Sequence, residues 1–218
     1  IYNMKKFNVV FFISYPTKFK DNCNIYLKYY ADLINESNFL NDVNCENMHI
    51  VYTCEEIDPI DKLKILFNHK KVLIEKFDCS KTKFKIARVA EYPGIKKVHD
   101  IAKKKPDTYI CYFHSKGITH DKGNDVNVKS NIELWIDYLS YYVIRNYKLN
   151  IAELDKGFMA CSVDYTEGIR CCPSHFSGNF WWVQSNAIIE AESKNLTHPT
   201  LGDKRHSYEF YLLTILQR

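Results

Sequence analysis

The sequence predicts an α/β fold, a parallel or mixed sheet with helices on both faces. Three observations lead there. Short continuous runs of apolar, β-branched and aromatic residues, such as FNVVFFISY at 7–15 and TYICYF at 108–113, have the character of strands buried on both faces. Segments with apolar residues at helical spacing alternate with these runs, and that alternation favours a parallel or mixed sheet. Finally, 46% of the 218 residues are hydrophobic, enough for a real core, and no repeat, low-complexity segment or composition shift divides the chain. A single domain over 1–218 is expected.

The elements follow in order. Pro16 closes the first strand, since proline cannot donate to a ladder. NIYLKYYADLINES (24–37) sets Ile25, Tyr29, Leu33 and Ile34 at helical spacing. MHIVYTC (48–54) is a second strand, followed by a loop carrying Glu55, Glu56 and Asp58. KVLIEKF (71–77) reads as a third. GIKKVHDIAKKK (94–105) is a helix with Ile95, Val98, Ile101 and Ala102 inward, stopping before Pro106, and 108–113 is a fourth strand. SNIELWIDYLSYYVIRNYKLNIAEL (130–154) has the pattern of one long helix, with Ser130 as N-cap and Trp135 in the core. FMACSVDY (158–165) is expected to be a strand ending near Asp164. A Gly/Cys/Pro loop then leads to a GNFWWV strand, and SYEFYLLTILQR (207–218) reads as a closing helix.

Charge and cysteine usage narrow the function classes. The 30 basic residues are interleaved with 26 acidic ones for a net +4, so no stripe is built for a nucleic-acid backbone. No apolar run reaches the length of a membrane span. The start MKKFNVVFFISY has two lysines before an apolar run, but the run is short and no small-residue cleavage site follows, so a first strand explains it better than a signal peptide. Eight scattered cysteines without C-x-x-C spacing read as reduced and intracellular.

Three constellations can carry chemistry. In sheets of this kind ligands gather at the carboxyl ends of strands, which directs attention to HSKGITH (114–120) after the fourth strand. His114, Ser115 and Lys116 are polar, and Gly117 permits close backbone approach. The second is GDKRHSYEFYLL, in which Lys204, Arg205 and His206 precede Glu209; a surface Arg205–Glu209 pair and an anion site are both open. The third is HFSGNFWWVQ (175–184). Adjacent strand residues face opposite ways, so one of Trp181 and Trp182 is expected in the core and the other in a cleft, beside Gly178 and the amide of Asn179.

The segments AEYPGIKKVHDIAKKKPDTYICYFHSKGITH, LWIDYLSYYVI, GFMACSVDY, HFSGNFWWVQSNAI and RHSYEFYLL together resemble a group of GT-A-type glycosyltransferases. Such proteins occur in bacterial surface-polysaccharide gene sets and in large DNA viruses. The resemblance spans about 88–213, and YFHSKG and HFSGNFWW are its most specific parts. It implies a GT-A-like, Rossmann-like sheet with a nucleotide-binding half over about 1–113 and an acceptor and catalytic half over about 114–218. It implies transfer of a sugar from a nucleotide-sugar donor, a UDP-sugar, to a glycan acceptor, in the cytoplasm (the host's for a viral chain). Tyr15 would stack on the base and Glu55 and Asp58 would take ribose hydroxyls. One tryptophan of the pair, with Gly178 and Asn179, would form the acceptor site. Inverting transfer needs a carboxylate base, for which Glu209 is the first choice and Asp164 the second.

One departure matters. Where such folds usually hold a D-x-D pair for a divalent metal, this chain reads His114-Ser115-Lys116. Lys116, His175, Lys204, Arg205 and His206, with His114 and Ser115, are then the groups that would neutralise the diphosphate. Use of Mn²⁺ or Mg²⁺, with His114 as a ligand, stays open. Two other classes also stand: a metal-dependent hydrolase built on His114, His120, Asp121 and His175, and a catalytically silent carbohydrate-binding module.

Overall fold

The computed structural model describes residues 5–82, 89–116, 126–168, 173–193, 207–208 and 210–216. Its strands are β1 (Phe7–Tyr15), β2 (Cys45–Cys54), β3 (Val72–Lys76), β4 (Tyr109–His114), β5 (Ala160–Cys161), β6 (Tyr165–Thr166), β7 (His175–Phe176) and β8 (Trp181–Gln184). The helices are α1 (Lys20–Ser37), α2 (Ile60–Leu66), α3 (Tyr92–Lys104), α4 (Val126–Ser140), α5 (Tyr147–Asp155), α6 (Ser185–Ser193) and α7 (Tyr211–Leu216).

Six strands form one sheet in the order β3-β2-β1-β4-β8-β5, while β6 and β7 make a separate two-stranded ribbon. The first four are parallel, β8 runs antiparallel to β4, and β5 runs antiparallel to β8. The fold is therefore the mixed α/β sheet expected. Both halves of the chain contribute strands to it.

Strand alternation divides the core in two. Phe7, Val9, Phe11 and Ile13 of β1 join Met48, Ile50, Cys111, Phe113 and Trp182 beneath α1, α4 and α5. Val10 and Phe12 join Ile110, Tyr112, Trp181 and Val183 beneath α3, α6 and α7. Because helices cover both faces, the central strands β1 and β4 are apolar at most positions rather than at every second one.

Local signals set the boundaries. Asn38 ends α1 in the left-handed region at φ 58°, where asparagine is tolerated better than most residues. Pro93 stands in the first turn of α3, where its missing N–H costs nothing. Gly94 lies so close to the sheet that a Cβ there would come within 2.7 Å of Phe12 Cβ and 2.8 Å of the Tyr112 ring. A side chain at 94 would push α3 off the sheet.

Three expectations need correction. The helical pattern at 130–154 is not one helix with Ser130 as N-cap. α4 begins four residues earlier, and a π turn over Tyr141–Arg145 separates it from α5. The strand at 158–165 shrinks to Ala160–Cys161, and a short helix, α2, occupies part of the 55–70 connection. Of the closing helix, Tyr211–Leu216 is described. The described cysteines, Cys23, Cys45, Cys54, Cys79, Cys111 and Cys161, are all free thiols. Among the described residues no helix is long and apolar enough to cross a membrane.

Candidate functional site

The chain builds outward from β1 to β3, then returns to place β4 on the other side of β1. The strand order reverses between β1 and β4, and the carboxyl ends of strands at such a switch point are where open α/β sheets take ligands in a crevice. Apolar strands end here in polar residues: Ser14 near the end of β1 and Thr17 beyond it, Glu55 and Glu56 after β2, and His114 at the end of β4 followed by Ser115 and Lys116.

These exits are tied to one another. Ser115 donates its backbone N–H to Phe12 O at 2.8 Å, and its Oγ accepts from Ser14 N at 3.2 Å. The Lys116 N–H donates to the Tyr30 hydroxyl at 3.2 Å. Glu55 accepts from Thr17 N at 3.0 Å, and the Thr17 hydroxyl accepts from Glu56 N at 3.3 Å. His114, Ser115 and Lys116 are thus set beside the β1 and β2 loops by main-chain geometry.

Behind His114 lies a buried polar network. His114 Nε2 is 3.1 Å from Gly178 O, which only accepts, so this nitrogen carries the proton. Glu91 Oε1 stands 3.7 Å from the same nitrogen. Glu91 Oε2 accepts from Tyr112 Oη at 2.8 Å and from Asn179 Nδ2 at 2.6 Å, and Asn179 Oδ1 accepts from Trp181 Nε1 at 2.7 Å. Burial, and then the adjacent Glu91 carboxylate, push the Tyr112 phenol well above its ordinary pKa, so it remains the donor. The network joins α3, β4 and the Ser177–Asn179 turn, and it holds the His114 ring at the crevice wall.

Glu91 did not emerge from the sequence. A lone acid before Tyr92-Pro93-Gly94 looks like an ordinary helix-start residue, and its partners are 21 and 88 residues away. Its side chain makes no cap hydrogen bond and turns inward instead.

Several expected ligand contacts are corrected by burial. Trp181 and Trp182 do face opposite ways, but both faces of the sheet are covered, and the two are 0% and 1% exposed. Trp182 donates from Nε1 to Val143 O at 2.8 Å. Neither indole presents a platform. Asn179 is 3% exposed and spends its amide inside the network rather than on a sugar hydroxyl. Gly178, at φ 80°, packs against Leu139, leaving no room for a ligand on that side. Tyr15 is 4% exposed, and its hydroxyl donates to Asn24 Oδ1, so its ring is in the core and does not stack on a base.

The remaining residues are placed as follows. Asp58 accepts from Tyr52 Oη, Ile60 N and Lys76 Nζ. Burial opposes its ionisation, but the bonds from Lys76, Tyr52 and Ile60 prevail and lower its pKa. It bonds the N–H of Ile60, the first residue of α2, and pairs with Lys76. His175 lies on the β6–β7 ribbon, with its Nδ1 3.0 Å from Pro173 O and its ring 4.6 Å from that of Phe210. Asp164 is exposed, at φ 61°, and its carbonyl accepts from Ser177 N. Gly117, His120, Asp121, Lys204, Arg205, His206 and Glu209 lie outside the described residues.

Trp135, expected in the core, is only half-buried. An open groove of about 350 Å³ runs over it, lined by Asn131, Leu134, Trp135, Tyr138 and Asp164.

A divalent cation such as Mg²⁺ or Mn²⁺ takes oxygen ligands. Where the resemblance places a carboxylate pair, the chain offers an imidazole, a hydroxyl and an ammonium, and one Glu91 oxygen is already bound twice. These residues do not fit such an ion. Among the described residues, no three His, Cys, Asp or Glu side chains stand close enough together to hold a metal.

No family model and no curated protein matches the chain. Among solved structures, a 4-diphosphocytidyl-2C-methyl-D-erythritol synthase from Anaerococcus prevotii is similar at 12% identity and a TM-score of 0.44, over 96% of this chain and 83% of that one. A second crystal structure of such a synthase gives 13% identity and a TM-score of 0.42, over 98% and 99%. At these scores the fold class rests on the sheet described above.

Proposed function

We propose that the chain is a glycosyltransferase that moves a sugar from a nucleotide-sugar donor, a UDP-sugar, to a glycan acceptor. The observation that carries the reading is the crevice at the carboxyl ends of β1 and β4. There His114, Ser115 and Lys116 are fixed by bonds to Phe12, Ser14 and Tyr30, opposite loops whose own polar groups are interlocked. The resemblance of YFHSKG and HFSGNFWW to GT-A-type enzymes supports the same reading.

In this proposal the nucleotide lies against the 11–17 and 52–58 segments. Lys116 meets the diphosphate, joined by Lys204, Arg205 and His206. Fixed cations and donors stabilise charge developing on a leaving group without reorganising during reaction. Glu91 touches no substrate; it orients His114. Glu209 and Asp164 are the proposed bases, and inverting transfer would need only one of them.

Calorimetry with UDP, with and without EDTA, tests the reading. UDP binding should survive EDTA, and Lys116→Ala should weaken it about tenfold or more, as expected for loss of a charge-assisted hydrogen bond worth roughly 1.5–3 kcal/mol. Absence of any UDP binding would overturn the reading. Loss of binding on chelation would replace protein cations by a metal.

A further inference from the structure

We infer that the α4 face bearing Trp135 and Tyr138 is the oligosaccharide-binding ledge of this protein; the inference rests on the glycosyltransferase reading and names where its acceptor lies. Asn131, Leu134, Trp135 and Tyr138 recur at three- and four-residue spacing, so they share one side of the helix. Leu134 is 64% and Tyr138 42% exposed, so large apolar surface stands open on this face. Trp135 is anchored, because part of its ring packs on the core beneath α1 and α4.

The shape fits a sugar. The Trp135 and Tyr138 rings are 5.9 Å apart and within 23° of parallel, an offset stack that lines one wall of the groove. The C–H face of a pyranose is flat and apolar, while its rim is covered with hydroxyls. Asn131 and Asp164 line the same groove, and neither side chain has a hydrogen-bond partner among the described residues. An acceptor and a donor–acceptor pair in one groove with an aromatic face match hydroxyls at the edge of a sugar ring.

The ledge is longer than one ring. Tyr142 stands edge-on to Tyr138 at 5.3 Å and Tyr141 edge-on to Tyr142 at 5.1 Å, and both are exposed. From Trp135 to Tyr142 the helix advances roughly 10 Å, which accommodates more than a single sugar. The π turn begins at Tyr141, and such turns re-aim side chains that a regular helix would carry round to another face.

Hydrogen bonds through the Ser177–Asn179 turn link the ledge to His114. Asp164 accepts Ser177 N through its carbonyl, and Gly178 of the same turn accepts from His114. A glycan along the ledge would point one end toward His114. Asp164, exposed on the ledge, would then be the carboxylate nearest an acceptor hydroxyl. A protein partner would be served as well by aliphatic side chains; stacked rings sharing one groove with an unpaired amide and carboxylate favour the carbohydrate.

A printed oligosaccharide array, followed by titration of intrinsic fluorescence with the strongest hit, tests the ledge. Wild-type chain should bind at least one array glycan, and Trp135→Ala and the more exposed Tyr138→Ala should each weaken it by about tenfold, the usual effect of truncating an aromatic anchor. UDP affinity should be unchanged in both. An array without a hit, or glycan binding that survives both substitutions, overturns the ledge and leaves the donor reading to UDP calorimetry. Glycan binding on the ledge without any UDP binding keeps the ledge and removes the transferase. Light scattering closes the remaining route: a dimer that Trp135→Ala dissociates would make this face a self-association surface and overturn the inference.

Discussion

The two aromatic regions of this protein are built from the same residue types and serve opposite ends. On β8, Trp181 and Trp182 are sequence neighbours sent to opposite faces of the sheet, and each is sealed under helices. Both indole N–H groups are satisfied inside, one by Asn179 and the other by Val143 O. On α4, Trp135 and Tyr138 stand side by side on one face, half-covered or exposed, with polar neighbours left unpaired. What separates them is the number of layers around each element. A strand inside a doubly covered sheet has no outer side, whereas a helix in an outer layer always has one. Aromatic content alone therefore locates neither core nor ligand site.

The largest effect should distinguish the regions by stability. Trp181→Ala and Trp182→Ala each remove a fully buried indole and leave a cavity, at a cost of about 3–5 kcal/mol. Trp182→Ala also strands the Val143 carbonyl and withdraws the partner of Phe7, whose ring lies 5.4 Å away. Trp135→Ala gives up only partial packing, so about 1 kcal/mol or less is expected. Urea denaturation of the three variants compares them directly. A Trp135 cost as large as that of the strand pair would show that the ledge is core and not a surface.

A middle-sized effect probes the turn that joins the two regions. Gly178 sits at φ 80°, and a Cβ there would fall 2.4 Å from Leu139 Cδ1, on the inner side of α4. Gly178→Ala should therefore cost about 1–3 kcal/mol, from overpacking and a disfavoured backbone. In a double-mutant cycle with Leu139→Ala, the pair should cost less than the sum, because the smaller partner removes the clash but not the backbone strain. Strict additivity would mean that the turn and α4 do not press on each other.

Much of this architecture was legible in the residues. The apolar runs at 7–15 and 108–113 read as strands covered on both faces, and they are. The exposed platform assigned to HFSGNFWW did not hold, although the same reasoning applied to it. Period-two alternation says that Trp181 and Trp182 part company; only the helices packed on each face of β8 say that both sides are roofed. Trp135 failed in the reverse sense, since an apolar stripe on a helix looks like core until the neighbouring layer proves to stop short of it. Glu91 was invisible because its meaning lies in Tyr112 and Asn179, brought to it by the sheet and the turn. Local chemistry was readable; coverage, set by the whole topology, was not.

The smallest energetic change gives the most direct view of the two regions. The chain has three tryptophans, Trp135, Trp181 and Trp182. An indole that touches water emits to the red and is quenched by collision with acrylamide, while one sealed in a packed interior is neither, because close-packed cores admit few solute-sized openings. Trp135→Phe keeps an aromatic ring on the ledge and alters little buried volume, so stability should move by about 0.5 kcal/mol or less. Its emission should nonetheless shift to the blue and lose nearly all acrylamide sensitivity, since only Trp181 and Trp182 remain. Wild-type chain should show one accessible class of indole and one inaccessible class, and the accessible class should vanish with this single substitution. Persistent quenching in Trp135→Phe would mean that solvent reaches β8, and a strand tryptophan would then recover the ligand-facing role that burial denies it.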